Sequence, residues 1–237
     1  MSDVTFFLTS CKRHDLLKIC LESFEEYNTY PIDRAIIIED SPQDISWCKD
    51  ILKSIPNVEL LNTGGRQGQL RNIDRCYAMI DTPYVFHCED DFQFTQSGFI
   101  EGSKTILEAE PTCVNVWLHP YDACPAEHTY KEKLEVNGVE YYGVLSLVEG
   151  EGGLGFTFQP SLHRIADWSR WGNYNSLIDR IAPWCNKFDG GQVERNIARN
   201  FIMEGYHSRI LSHPGKIGYF VSTGHTRHVP LPTQGEM

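Results

Sequence analysis

"VFHCEDDFQF", residues 85–94, reads as a buried strand that runs into three consecutive carboxylates, Glu89, Asp90 and Asp91. Strands disfavour Asp and Glu, and adjacent negative charges repel one another. Asp and Glu are 32 of the 237 residues, so a chain of this composition holds roughly 0.6 acidic triplets by chance. The triplet therefore acquires meaning only from what surrounds it.

Upstream, strand and helix patterns alternate. "DVTFFLTS" is a β-branched and aromatic run, and "DLLKICLESFEEY" follows with Leu17, Cys20, Leu21, Phe24 and Tyr27 at helical spacing. "RAIIIEDS" is a continuous apolar run ending in acid, the pattern of a parallel strand covered on both faces. "QDISWCKDILKSI" places Cys48, Ile51, Leu52 and Ile55 on one helical face, and "VELLN" is a short third strand. After "TGGRQG", residues Leu70, Ile73, Tyr77 and Ile80 mark a third helix, and "PYVFHCE" is the fourth strand. This alternation predicts an α/β fold with an open, mostly parallel sheet and right-handed crossovers. Ligands of such sheets bind beyond the carboxyl ends of the strands. Those ends carry Thr9 and Arg13, then Asp40 and Ser41, then Gly64, Gly65 and Arg66, then Glu89 and Asp91. Polar groups converge on one rim.

Downstream, "GFIEGSKTILEAE" predicts a helix, "CVNVWLHP" a strand and residues 120–143 a loop or hairpin. "EGEGGLG" reads as a hinge, "FTFQP" as a short strand, with a helix from about Ser161. "GGQVERNIARNFIMEGY" predicts a helix with Ile197, Phe201 and Ile202 inward and Gly205 in a C-cap position. Neither repeats nor linkers interrupt residues 1–237, which are expected to form one domain.

The composition, 41% hydrophobic and 22% charged, is that of an ordinary globular protein. A formal charge of −11 argues against a general nucleic-acid binder, which presents basic stripes. The longest apolar runs, "AIII" and "VTFFLT", are too short to cross a bilayer, so no transmembrane segment is expected. The opening "MSDVTFFLTSCKRHD" has no cationic stretch ahead of a signal-type apolar core. The expected location is cytoplasmic, and peripheral docking to a membrane is compatible with it. Eight cysteines without C-x-x-C spacing suggest reduced, mostly buried thiols.

Four stretches in order, "TSCKRHDLLKICLESF", "IIIEDS", "GGRQGQLRNID" and "CEDD", resemble the family-2-like glycosyltransferases of the GT-A fold. "VERNIARNFIMEGY" resembles that family's acid-led helix closing in Gly-Tyr. The likeness covers most of the chain and is strongest over residues 4–94. It implies a Rossmann-like, open, twisted sheet flanked by helices, with a smaller β element on the acceptor side. Residues 1–94 would bind a nucleotide-sugar and residues 95–237 the acceptor. It further implies transfer of a sugar from a nucleotide-sugar, expected to be a UDP-sugar, to a glycan or other hydroxyl acceptor, with inversion and with Mn²⁺ or Mg²⁺ as cofactor.

Carried over residue by residue, the resemblance makes Asp40 the acid that accepts hydrogen bonds from the base, with Thr9 and Arg13 lining the same pocket. Arg71 matches the family's Arg that contacts base or phosphate. Glu89 and Asp91, two apart on an extended backbone, point to one side and suit a hard cation, with Asp91 as main ligand. Asp90 points away, toward ribose or sugar hydroxyls. The family pattern is usually all Asp, and Glu89 departs from it. The acid of the closing helix is Glu194, the expected catalytic base, with Asp189, Glu149 and Glu151 as rivals. A late His225 would complete the metal shell, with Arg227 and His228 nearby. The aromatic stretch around residues 117–143, with Trp168 and Trp171, is either an acceptor wall or core.

Two alternatives stay open: a non-catalytic relative that binds nucleotide-sugar, and a sugar nucleotidyltransferase. The latter's usual Gly-rich opening loop is missing from "TSCKRHD". A zinc site from His119, Cys124 and His128 matches no common structural spacing.

Overall fold

The apolar runs of the first half become the middle of a sheet. β1 (Val4–Ser10) is buried throughout and β2 (Arg34–Glu39) is buried from Ala35 onward, because helices cover both faces. Side chains alternate between those faces. Phe6 and Leu8 join one core with Ile37, Phe86 and Cys88, whereas Phe7 joins the other with Ile36, Ile38 and Val85.

A computed structural model describes residues 2–123, 129–144 and 155–224. Among the described residues, nine strands form one sheet. Its order is β3 (Asn57–Asn62), β2, β1, β4 (Tyr84–Glu89), β9 (Ser161–Arg164), β6 (Cys113–Trp117), β10 (His207–Ile210), β8 (Val139–Val144) and β7 (Thr129–Val136). β1, β2, β3 and β4 pair in parallel, as do β6 and β10. β9 runs antiparallel between β4 and β6, and β7–β8 is an antiparallel hairpin. A second, two-stranded sheet pairs β5 (Phe92–Phe94) with β11 (Phe220–Ser222). Register aligns the strand ends: Thr9 lies opposite Glu89, Ser10 opposite Glu39, and Glu39 opposite Asn62. The rim expected from sequence is thus level.

The first face is covered by α1 (His14–Tyr27), α2 (Cys48–Ile51) and α4 (Phe99–Ala109), which insert Leu17, Leu21, Phe24, Ile100 and Ile106. The second is covered by α3 (Gln69–Tyr77), α6 (Tyr174–Ile181) and α7 (Gly190–Met203), through Ile73, Tyr77, Leu177, Ile178, Ile197 and Phe201. The short α5 (Ile165–Arg170) follows β9. No helix among the described residues is long and apolar enough to cross a membrane. The seven described cysteines are free thiols, six of them buried; Cys124 lies outside the described residues.

Three elements differ from the sequence expectation. α2 is a single turn, although Leu52 and Ile55 are buried as expected; Pro56 disfavours helical backbone at Ile55. "FTFQP" forms no strand, and "SLHR" takes its place as β9 before α5 begins at Ile165. Pro160 cannot donate to a ladder, while the Phe158 and Gln159 amides are spent on side-chain acceptors. Ile202 is only half-buried, but Ile197 and Phe201 face the core and Gly205 follows the helix with φ +86°.

Trp168 and Trp171 are packing residues rather than an acceptor wall. Trp171 packs tilted on Phe201 and edge-to-face on Tyr206, and Trp168 packs on Tyr77 while its Nε1 donates to Asp74 at 2.9 Å. Asp74 is buried and also accepts from the Tyr174 amide and from the amide and side chain of Asn175, at 2.7–2.8 Å. Asp74→Ala strips four donors of their partner and is expected to cost about 3 kcal/mol, measured by urea unfolding.

Candidate active site

The aligned strand ends open into a cleft of about 1050 Å³, at the upper end of ordinary ligand sites. Thr9, Arg13, Asp40, Glu89, Asp91 and Glu194 all line it. Six of the residues singled out from sequence therefore meet in one place.

Asp40 follows β2 and is buried. Its Oδ1 accepts from the Gln67 amide at 2.7 Å and from Thr63 Oγ1 at 3.1 Å, and its Oδ2 accepts from the Gly68 amide at 2.8 Å. The carboxylate thereby folds the glycine-rich turn over the strand ends. Gly68 has φ +90°, and a Cβ there would lie 2.8 Å from Phe188 Cε1, so glycine is required twice over. Arg66 of the same turn lines the cleft. Arg71 does not: it is exposed and its Nη1 donates to Gln67 Oε1 at 3.1 Å. The reason is helical phase, since α3 turns Leu70, Ile73, Asp74 and Tyr77 inward and leaves position 71 outside. Cys11 also lines the cleft, but burial and then Asp40 and Glu39 push its thiol up to about 11, which leaves it a poor nucleophile.

Arg13 occupies the centre of the carboxylate group. Its Nη2 and Nε grip both oxygens of Asp90, the latter at 3.2 Å, while Nη1 reaches Asp91 Oδ2 at 3.0 Å. Ser10 Oγ adds a 2.9 Å bond to Asp90. Asp90 is fully buried, and it is not among the residues that line the cleft. The sequence expectation is that it meets ribose or sugar hydroxyls; in the structure the fork of Arg13 holds it inside. Burial moves the Asp90 carboxyl up to about 6, against the pull of Arg13. Glu89 Oε1 accepts from Gln69 Nε2, and burial, followed by the charges of Asp91 and Glu194, holds its carboxyl well above the ordinary range.

Asp91 differs from both. Its Oδ1 is buried without a hydrogen-bond partner among the described residues. A buried carboxylate oxygen in that state calls for a positive partner. The backbone packs tightly around it: the Thr223 amide donates to the Asp91 carbonyl at 2.8 Å, and a Cβ on Gly224 would come within 2.4 Å of Asp91 Cβ. Among the described residues, no three His, Cys, Asp or Glu side chains form a ready-made metal cage. Magnesium-type ions are held by one or two carboxylates with substrate phosphates supplying further oxygens, and Asp91 with Glu89 fits that donor set. His225, Arg227, His228, Glu149, Glu151 and His128 lie outside the described residues.

Opposite, α7 presents its first turn. Asp189 is the helix cap, accepting from the Gln192 amide at 3.1 Å and from Gln192 Nε2 at 2.8 Å, so this rival base is engaged. Glu194 Oε1 accepts from Thr157 Oγ1 at 3.0 Å and from the Phe158 amide. Burial raises the Glu194 carboxyl above its ordinary value, against those two donors. The remaining wall carries Phe158, Phe188, Phe220, Gln159 and His119. His119 is held neutral, since burial pushes its imidazole down to about 4. Phe188 and Phe220 escaped the sequence reading, which also gave Phe158, Gln159 and His119 no part in this site, because contacts between segments this remote leave no periodic signal. "TGH" did place a glycine beside His225, yet nothing local ties Gly224 to Asp91.

The architecture has relatives among solved structures. One is the mannosyltransferase PcManGT from Pyrobaculum calidifontis, in complex with GDP-Man and Mn²⁺: TM-score 0.61, 14% identity, covering 95% of this chain and 58% of that one. S. aureus TarS 1-349 in complex with UDP gives 0.56 and 10% over 91% and 59% of the two chains. Its complex with UDP-GlcNAc gives 0.56 and 8% over 95% and 61%. At such identities the likeness concerns the fold, and this chain spans 58–61% of the length of those structures. No curated protein matches the sequence. The family model described as Glycosyl transferase family 2, however, matches residues 5–150. That span is more than half of the chain and contains the glycine-rich turn, Arg13 and the carboxylate triplet, so the chain belongs to glycosyl transferase family 2.

Proposed function

We propose that this chain is a metal-dependent glycosyltransferase that moves a sugar from a nucleotide-sugar, a UDP-sugar by preference, to an acceptor hydroxyl with inversion at the anomeric carbon. The observation that carries the reading is the placement of two unlike carboxylates in one cleft. Asp91 presents a buried oxygen without a hydrogen-bond partner among the described residues, and Glu194, lining the same cleft, holds one oxygen against the protein.

Asp91, with Glu89 beside it, would hold Mn²⁺ or Mg²⁺, which supplies positive charge for the departing nucleoside diphosphate. Asp40 uses three acceptor positions on its own loop. A carboxylate offers about four, which leaves one for a base imide N–H. Thr9 and Arg66 line the same cleft. Arg13 keeps Asp90 and Asp91 in fixed orientation. Glu194 accepts the acceptor's hydroxyl proton as that oxygen bonds to the anomeric carbon and the bond to the diphosphate breaks. Phe158, Phe188 and Phe220 offer ring faces for sugars, and the neutral His119 adds no charge there.

Thermal shift across UDP- and GDP-sugars, with Mn²⁺ or with EDTA, tests the reading. A UDP-sugar should raise Tm in Mn²⁺ and not in EDTA, and UDP should be released slowly. Stabilisation without turnover indicates a binding protein, and pyrophosphate exchange with a sugar 1-phosphate indicates a nucleotidyltransferase. The absence of any stabilisation removes the proposal. Because Glu194 must be ionised to act and burial raises its carboxyl, turnover should fall as pH drops through a range above that of an ordinary glutamate.

A further inference from the structure

The segment after the second undescribed stretch binds Glu194 in an unusual way. Thr157 Oγ1 accepts the Gln159 amide at 3.1 Å, so its single proton is left to donate to Glu194 Oε1 at 3.0 Å. The next amide, Phe158 N–H, donates to the same oxygen. Neither donor reaches Oε2, and Glu194 lines the cleft. The segment itself is tied down from below: Asn115 of β6, fully buried, donates through Nδ2 to the Thr157 carbonyl at 3.4 Å. Asn115 is in turn fixed by Ser208 Oγ at 2.6 Å on β10. Ser161 Oγ closes the far end by donating to the Gln159 carbonyl at 2.8 Å.

We infer that Thr157 is a positioning residue for the base: with the Phe158 amide it clamps one oxygen of Glu194 and turns the other toward the acceptor hydroxyl. The inference rests on Glu194 being the base. The clamp is asymmetric by construction, because two donors on one oxygen fix the carboxylate plane as well as its rotamer. It also favours the ionised form, since both donors bind charge better than a neutral acid. The Gln159 bond fixes the sense of the Thr157 hydroxyl, which would otherwise rotate freely. Among the described residues, Glu89 and Arg195 carry charge that acts on or with Glu194, and Asp91 and Asp189 line the same cleft.

The test needs no substrate. In protein labelled with ¹⁵N-Phe, the Phe158 amide proton should move with pH as Glu194 ionises, and Glu194→Gln should abolish that movement. Thr157→Val should shift the midpoint to higher pH, because one donor to the ionised form is lost, whereas Thr157→Ser, which keeps the hydroxyl, should restore it. A Phe158 amide indifferent to pH, a titration that survives Glu194→Gln, or a Thr157→Val midpoint equal to wild type would each overturn the clamp. The wild type against Glu194→Gln decides the matter even where Thr157→Val does not fold. Any of these results removes the clamp and leaves the transferase reading standing. Conversely, UDP-sugar transfer that survives Glu194→Gln removes the base assignment while the clamp remains.

Discussion

Asp91→Asn is expected to reduce metal-dependent turnover by about a thousand-fold, as loss of several kcal/mol of charge stabilisation at the leaving group requires. The substitution is nearly isosteric. It keeps an oxygen for Arg13 Nη1 and leaves the stronger fork between Arg13 and Asp90 untouched. The backbone bond from Thr223 to the Asp91 carbonyl is also unaffected. Melting temperature without metal should therefore stay close to wild type, while Mn²⁺ titrated by calorimetry should bind much more weakly. A variant with wild-type rates and wild-type Mn²⁺ affinity would show that the buried oxygen of Asp91 has no part in metal binding. Gly224→Ala reaches the same side chain without touching its charge, since its Cβ would press on Asp91 Cβ and Oδ2. It should weaken Mn²⁺ binding without changing any charge.

Glu194→Gln is the second large effect. A positioned base contributes typically about 10²–10⁴-fold, so kcat should fall within that range while donor affinity, measured as UDP-sugar binding in Mn²⁺, changes little. The amide can keep its oxygen on the Thr157 and Phe158 donors, so the fold tolerates it. The pH profile separates this from a loss of shape. In wild type the acidic limb reports the ionisation of Glu194, raised by burial; in Glu194→Gln that limb should vanish. Transfer at the wild-type rate would move the base to Glu149 or Glu151, since Asp189 is committed to capping α7.

The first half of the fold was legible because its strands are continuous apolar runs and its helices have clear periodicity. Phe6 and Phe7 divide between the two cores as alternation requires. β9 and β10 were harder to read for a physical reason. β9 depends on partners far apart in sequence, and β10 alternates through Ser208, a buried polar residue whose hydroxyl is satisfied by Asn115. Within the site, strand ends could be read and side-chain directions could not. Asp91 and Glu194 reach the cleft. Asp90 was expected to meet a ligand, but Lys12 takes a left-handed turn with φ +59°, its amide bonded to Glu39 Oε1, and Arg13 beyond it captures the carboxylate. Arg71 was placed by motif, but its helical phase faces away, and Arg66 lines the cleft instead. Contacts between remote loops, such as Gly224 on Asp91, leave no periodic trace.

The central claim is that the tip of β4 holds a divalent ion together with a nucleotide. Crystals grown with Mn²⁺ and UDP test it most directly. The account predicts anomalous manganese density within bonding distance of Asp91 Oδ1, bridged to the diphosphate, with uracil against Asp40. Manganese bound elsewhere, or UDP ordered in the cleft with no ion at Asp91, would contradict it.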